Sequence, residues 1–217
     1  PNGTQEIVFY QKQISPTVNQ LCYRVDYKGH PVINESRAGL ELDNRIWEMA
    51  LGARDLKQPA SWMDNLEVDS VTYQPETNIT WHPLYGERST VRDHYKAATI
   101  YLSKKDNSQY RLNVEVRAYD EGVAFRYFFP EHPKAIFHKV VGDLTEYTLP
   151  EGTKAWTEQW AQAFFEYLDI NDIKRPVERA LTMELPNGTW AALADADIDD
   201  WCLTKYLAST EKKNTLT

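Results

Sequence analysis

The sequence has few cysteines and glycines and carries no excess of positive charge. Its 217 residues include 2 Cys and 9 Gly, and 24 Lys and Arg are outnumbered by 32 Asp and Glu, which gives a formal net charge of -8. This acidic balance excludes the clustered basic surface that nucleic-acid binding requires, so we expect no nucleic-acid partner. Cys22 and Cys202 stand far apart in no metal-ligand spacing, which excludes a zinc site built on cysteine and leaves two buried thiols or one long-range disulfide.

Other absences exclude membrane and nucleotide functions. No segment approaches the roughly 20 apolar residues of a membrane helix, so we expect no membrane span. The N-terminal segment PNGTQEIVFY lacks the charged and apolar regions of a signal peptide, so an exported form would already have lost its signal. The sequence has no Gly-rich phosphate loop, Gly-x-Ser-x-Gly elbow or His-Glu-x-x-His helix, which argues against nucleotide binding, serine hydrolysis and zinc proteolysis.

Aromatic residues are abundant and indicate a β fold. The 13 Tyr and 7 Trp favour strands, and Leu21–Tyr27 alternates between apolar and polar residues as a strand with one buried face does. Turn residues follow at Lys28-Gly29, at Asp120-Glu121-Gly122 and at Pro186-Asn187-Gly188, where we expect hairpins. The pattern predicts an all-β fold with little helix: a single domain over residues 1–217, built as a large antiparallel β-sandwich of about ten strands.

Three segments lack the alternation of a strand and are predicted to be helix, loop or frayed tail. Trp156, Trp160, Phe164 and Tyr167 recur at helical spacing, which predicts a short amphipathic helix whose aromatic stripe faces either the core or a partner. The stretch 43–59 lacks alternation and is predicted to be a loop with one helical turn. The tail from Thr210 is polar and is predicted to fray.

Three further segments together resemble the N-terminal domain of glycoside hydrolase family 97. The first is GHPVI at 29–33 leading to GLEL at 39–42, the second is WHPLYGERSTVRDHY at 81–95, and the third is RAYDEGVAFRYFFP at 117–130. Their order and approximate spacing agree with the family, and the resemblance extends over most of the chain.

The resemblance implies a galactose mutarotase-like sandwich that packs against a catalytic (β/α)₈ barrel following this segment. That barrel would carry both catalytic carboxylates of a bacterial α-glucosidase or α-galactosidase, so this chain alone is expected to be an inactive accessory domain. The implied partners are the barrel and an α-linked oligosaccharide, and the implied location is the periplasm or the cell exterior.

Some family members bind Ca²⁺ where the two domains join, and the ligand position of this domain falls on Asp195. The family has glutamate there, which is one methylene longer. Without the family, Asp195, Asp197 and Asp199 read either as a solvated acidic edge or as part of a divalent-ion site. An EF-hand is excluded because Asp200 stands where glycine is needed and Tyr206 where glutamate is needed.

A second charged group, at 87–94, has several readings. Glu87, Arg92 and His94 suggest acid–base chemistry, but charges between two strands also pair with each other or support an interface. Two other functions therefore stay open. One is a non-catalytic carbohydrate-binding module, and the other is a free-standing mutarotase-like epimerase in which His94 and Glu87 act as acid and base.

Overall fold

Strands make up most of the chain. The computed structural model describes residues 3–52, 54, 64–105, 107–134, 138–199 and 201–217. In chain order its elements are β1 (Gln5–Ser15), β2 (Val18–Tyr27), β3 (His30–Arg37), β4 (Leu40–Leu42), α1 (Arg45–Leu51), β5 (Leu66–Tyr73), β6 (Thr77–Trp81), β7 (Val91–Lys104), β8 (Asn107–Tyr119), β9 (Val123–Phe128), β10 (Val140–Asp143), β11 (Tyr147–Thr148), β12 (Lys154–Thr157), β13 (Glu166–Asp169), a 3₁₀ helix (Ile170–Asp172), β14 (Leu181–Glu184), β15 (Trp190–Leu193) and β16 (Thr215–Leu216).

The first sheet has the order β1-β2-β3 and forms from two consecutive hairpins. Lys28 and Gly29 both have positive φ values, 50° and 77°, which suits the tight turn between β2 and β3. The strand predicted at Leu21–Tyr27 is confirmed as part of β2, but both of its faces are covered, because Cys22 and Asp26 are buried as well. The segment at 39–42 does not continue β3, which ends at Arg37, and β4 pairs instead with β10.

The second sheet is larger and packs on the first. It has the order β5-β7-β8-β9, and β6 continues the β5 edge by pairing with the first half of β7. Phe9 and Tyr23 of the first sheet contact Phe125 of β9, with ring centroids 5.4 and 5.1 Å apart. Leu112 and Val114 on β8 are fully buried in the same apolar core. The antiparallel sandwich predicted from the sequence is therefore confirmed.

A four-stranded sheet of order β13-β12-β14-β15 replaces the amphipathic helix predicted around Trp156. That prediction is wrong, because burial alternates with period two: Ala155 and Thr157 are buried while Trp156 between them is exposed. The helical spacing arises by coincidence. Trp156 and Tyr167 lie on paired strands, and Trp160 and Phe164 lie in the loop between these strands. The hairpin predicted around Gly188 is confirmed, and Gly188 has a φ of 80°.

The C-terminal tail is ordered, which corrects the expectation that it frays. Thr215 and Leu216 are buried, and β16 pairs with β11. Lys212 Nζ also donates a hydrogen bond to Glu146 Oε2 at 2.9 Å. These contacts outweigh the polar composition of the segment.

Three further expectations concern the segment 43–59, the two cysteines and a membrane span. The single helical turn expected within 43–59 is the seven-residue helix α1, and residues 53 and 55–59 of that stretch lie outside the described part. Both cysteines are free thiols, with Cys22 buried and Cys202 exposed, so neither expected arrangement holds fully. Among the described residues no helix is long and apolar enough to cross a membrane.

We expect Leu112→Ala to lower the free energy of unfolding by about 2–5 kcal/mol, because it opens a cavity between the two packed sheets. The matched control is Leu84→Ala, since Leu84 is almost wholly exposed and its truncation should change stability by less than about 0.5 kcal/mol. Urea denaturation of both variants measures the difference. Equal effects would contradict this assignment of the core.

Candidate functional site

Asp195 lies just after β15 and is held by two partners. Its Oδ2 accepts a hydrogen bond from the backbone N–H of Thr204 at 3.1 Å and lies 3.5 Å from Nε of Arg179. The Asp195 side chain is 21% exposed. The carboxylate therefore fixes the segment after β15 and neutralises a neighbouring guanidinium.

This environment does not by itself fit a calcium ion. Ca²⁺ takes about 6–8 oxygen ligands, whereas within the described ranges no three His, Cys, Asp or Glu side chains are grouped to hold a metal. Asp197 and Asp199 are exposed, Asp200 lies outside the described residues, and the Arg179 guanidinium would repel a cation beside Asp195. Calcium binding by Asp195 stays a prediction for a site completed by another domain.

His94 on β7 forms a clamp, by which we mean His94 with Glu76 and Asp120. Its Nε2 lies 2.6 Å from Glu76 Oε1 and its Nδ1 lies 2.9 Å from Asp120 Oδ2. Because ionised carboxylates only accept hydrogen bonds, both ring nitrogens must donate, which requires the imidazolium form. The pKa of His94 is raised, most by the hydrogen bond to Asp120 and next by the hydrogen bond to Glu76.

The clamp joins three segments of the second sheet. Glu76 precedes β6, His94 is on β7 and Asp120 follows β8. The charges of Arg92 and Lys96 lie 3.9 Å from Asp120 and Glu76 respectively. The charged group at 87–94 thus takes part in an ion network, consistent with the hypothesis that these charges pair with neighbouring charges.

The structure pairs His94 with residues that the epimerase hypothesis did not name. That hypothesis used Glu87, which lies in the exposed loop 82–90. Asp120 was recognisable only as a turn residue, and Glu76 gave no signal in the sequence, because their proximity to His94 depends on strand register.

Two loops carry strongly exposed apolar side chains, which we call the apolar tips. Leu84 and Tyr85, in the loop between β6 and β7, are 99% and 90% exposed. Phe164 and Phe165, between β12 and β13, are 94% and 66% exposed. Exposed groups of large apolar side chains mark interaction sites more often than single exposed residues do.

A third exposed region is the outer face of the four-stranded sheet, which we call the aromatic face. It carries Trp156, Tyr167 and Trp190, which are 43%, 38% and 56% exposed. Trp156 and Tyr167 are cross-strand partners with ring centroids 4.7 Å apart. The four residues of the predicted aromatic stripe, Trp156, Trp160, Phe164 and Tyr167, are all exposed, so the stripe does not face the core.

Comparisons with known proteins agree with the fold. A retaining alpha-galactosidase from Bacteroides thetaiotaomicron is 26% identical over 137 residues, a match that covers 63% of this chain and 17% of the relative. A Glycoside Hydrolase Family 97 enzyme in complex with panose, from Pseudoalteromonas sp. strain K8, superposes with a TM-score of 0.82 at 22% identity, covering 100% of this chain and 30% of that one. A beta-arabinopyranosidase superposes with a TM-score of 0.79 at 17% identity, covering 100% of this chain and 34% of that one.

The chain therefore spans less than a third of the curated relative and of the family 97 structure. The family model for the glycosyl-hydrolase 97 N-terminal domain matches residues 1–217. The chain belongs to the glycosyl-hydrolase 97 N-terminal family, and it corresponds to a part of larger glycoside hydrolase chains.

Proposed function

We propose that residues 1–217 are a single accessory domain of an α-glycoside hydrolase that packs against a catalytic (β/α)₈ barrel of the same polypeptide. The domain helps to form the active-site pocket, while two carboxylates in the barrel hydrolyse a terminal α-glycosidic bond. The observation that carries this proposal is the family match over the whole chain, together with its 30% coverage of a family 97 enzyme.

The apolar tips are the contacts that we assign to the barrel. Burying a Leu or Phe side chain that is exposed contributes roughly 1.5–3 kcal/mol, and aromatic anchors such as Tyr are enriched among the residues that dominate binding. Leu84, Tyr85, Phe164 and Phe165 project from loops rather than from a sheet face, so they can insert between elements of a second domain.

The His94 clamp holds the loop that carries Leu84 and Tyr85 in position before it docks on the barrel. It fastens the turn before β6 to β7 and to the turn after β8, and the loop that carries Leu84 runs between β6 and β7. A preordered loop loses less conformational entropy on docking.

The proposal also includes a calcium site at Asp195 and a location in the periplasm or outside the cell. Asp195 would contribute one carboxylate to a Ca²⁺ site shared with the barrel, which requires its carboxylate to turn away from Arg179. The substrate is an α-linked oligosaccharide, encountered in the periplasm or outside the cell. Chelator sensitivity of the complete enzyme that disappears in Asp195→Asn would support the calcium role.

We expect that in a longer polypeptide carrying the barrel, Leu84→Ser combined with Tyr85→Ser lowers kcat/KM for an α-glucoside or α-galactoside roughly 10- to 100-fold. A misplacement of about 1 Å at an active site costs on the order of 10²-fold. The 217-residue chain alone should be inactive. Ile14→Ser, which alters a half-exposed apolar residue of β1, is the control and should retain activity. Activity in the short chain, or full activity in the double variant, would overturn the proposal.

We expect the clamp to stabilise the domain most at mildly acidic pH. The folded-state pKa of His94 is raised, so its contribution is fully present below the unfolded pKa of about 6.5 and is lost as pH rises through the folded pKa. The pKa values of Glu76 and Asp120 are lowered by their hydrogen bonds to His94, so both stay ionised in this window.

The corresponding measurement is urea denaturation of the wild type and His94→Gln at pH 6 and pH 9. The stability lost in the variant should be larger at pH 6. His82→Gln is the matched control, because Nδ1 of His82 lies 3.0 Å from the neutral carbonyl oxygen of Ser89. A loss in His94→Gln that is the same at both pH values would show that His94 is not clamped as an imidazolium.

A further inference from the structure

The aromatic face combines ring surfaces with charged and hydroxyl groups in a fixed order. Trp156 is paired with Tyr167 on one side and with Thr182 on the other, and cross-strand partners project from the same face of a sheet. The next row on that face contains Lys154, Glu184 and Trp190, again as cross-strand partners. The opposite face is buried and includes Ala155, Leu181 and Met183.

The Tyr167 ring is held in place by polar contacts and packs beside Trp156. The Tyr167 hydroxyl donates a hydrogen bond to Glu184 Oε2 at 2.5 Å, and Lys154 Nζ lies 5.4 Å from the centroid of the Tyr167 ring. The Trp156 and Tyr167 rings are inclined by 30°. Rigid, oriented aromatic side chains present contact area at a low cost in conformational entropy.

The distance between the ring groups suits an extended ligand. Trp190 lies two strands and one row away from Trp156. With strands about 4.8 Å apart and a rise of about 3.4 Å per residue, this separation is roughly 12 Å. The space between the rings is occupied by Thr182 and Glu184, whose oxygens accept hydrogen bonds.

The chemistry of this face favours a neutral, hydroxyl-rich ligand. Pyranose rings offer an apolar face for stacking and hydroxyls for the carboxylate of Glu184 and the ammonium of Lys154. A nucleic acid would meet the negative charge of Glu184 in a chain whose net charge is -8. A protein partner would bury Glu184 and Lys154 away from water, which is costly unless each is newly paired.

We propose that the aromatic face is a glycan-binding surface that takes an α-linked oligosaccharide of more than one ring, stacked on the Trp156–Tyr167 pair and on Trp190. The choice of an α-linked sugar rests on the proposed function, whereas the existence of the surface does not. Glu184 and Thr182 accept hydrogen bonds from sugar hydroxyls between the two stacking positions. The surface belongs to the accessory domain and is formed without residues of the barrel.

Titration of the 217-residue chain with maltoheptaose, followed by tryptophan fluorescence and calorimetry, tests this proposal. We expect saturable binding, with Kd raised at least tenfold in Trp156→Ala and in Trp190→Ala. Trp81→Ala is the matched control because Trp81 is a similarly exposed tryptophan of the second sheet, and its Kd should be unchanged. Glucose should bind more weakly than maltoheptaose, because a single ring cannot reach both stacking positions.

Three results would overturn the proposal. One is the absence of saturable binding by a folded chain, and another is an unchanged Kd in both tryptophan variants. The third is burial of Trp156 and Trp190 from an aqueous fluorescence quencher in the complete enzyme without sugar, which would make this face a domain interface. None of these results depends on the apolar tips, so failure here is distinguishable from failure of the proposed function.

Discussion

The aromatic contact between the first two sheets is the interaction on which the rest of the structure depends. Tyr23 is fully buried, stacks with Phe9 of its own sheet and meets Phe125 of the second sheet. Its hydroxyl donates a hydrogen bond to the carbonyl of Glu146 at 2.6 Å. Burial raises the pKa of the Tyr23 hydroxyl well above its usual range, so the group stays a neutral donor.

This contact also ties the sandwich to the C-terminal part of the chain. Glu146 accepts a hydrogen bond from Lys212, whose ammonium also donates to the backbone carbonyl of Glu35 on β3. The tail is thereby fastened to both the first sheet and the segment before β11. Because the core is closed in this way, the apolar tips and the aromatic face can stay exposed without being needed for the packing of the two sheets.

The sequence predicted those parts of the fold that local chemistry determines. The turns at Gly29 and Gly188 specify hairpins by themselves, because positive φ values are local properties. The alternation at Leu21–Tyr27 predicted the strand but not the burial of its second face, where Cys22 and Asp26 are also covered. The helix predicted around Trp156 and the fraying predicted for the tail were wrong for a shared reason. Both segments are placed by pairing with other strands, which neither spacing nor polarity reports.

The candidate sites were predictable to a smaller extent. Asp195 could be singled out only through the family resemblance, and its contact with Arg179 follows from the packing of separate segments. His94 was recognised, but its partners Glu76 and Asp120 are brought to it by strand register across the second sheet. Side-chain chemistry is visible in a sequence, whereas its geometry depends on contacts between residues far apart in the chain.

The most direct test of the central claim is amide hydrogen exchange of segments 82–90 and 158–165 in two samples, the 217-residue chain and a longer polypeptide that includes the catalytic barrel. If the tips dock against the barrel, both segments should exchange more slowly in the longer polypeptide, while the buried strand β8 should be equally protected in both samples. Equal exchange of the two segments in both samples would contradict the account of this chain as a docked accessory domain.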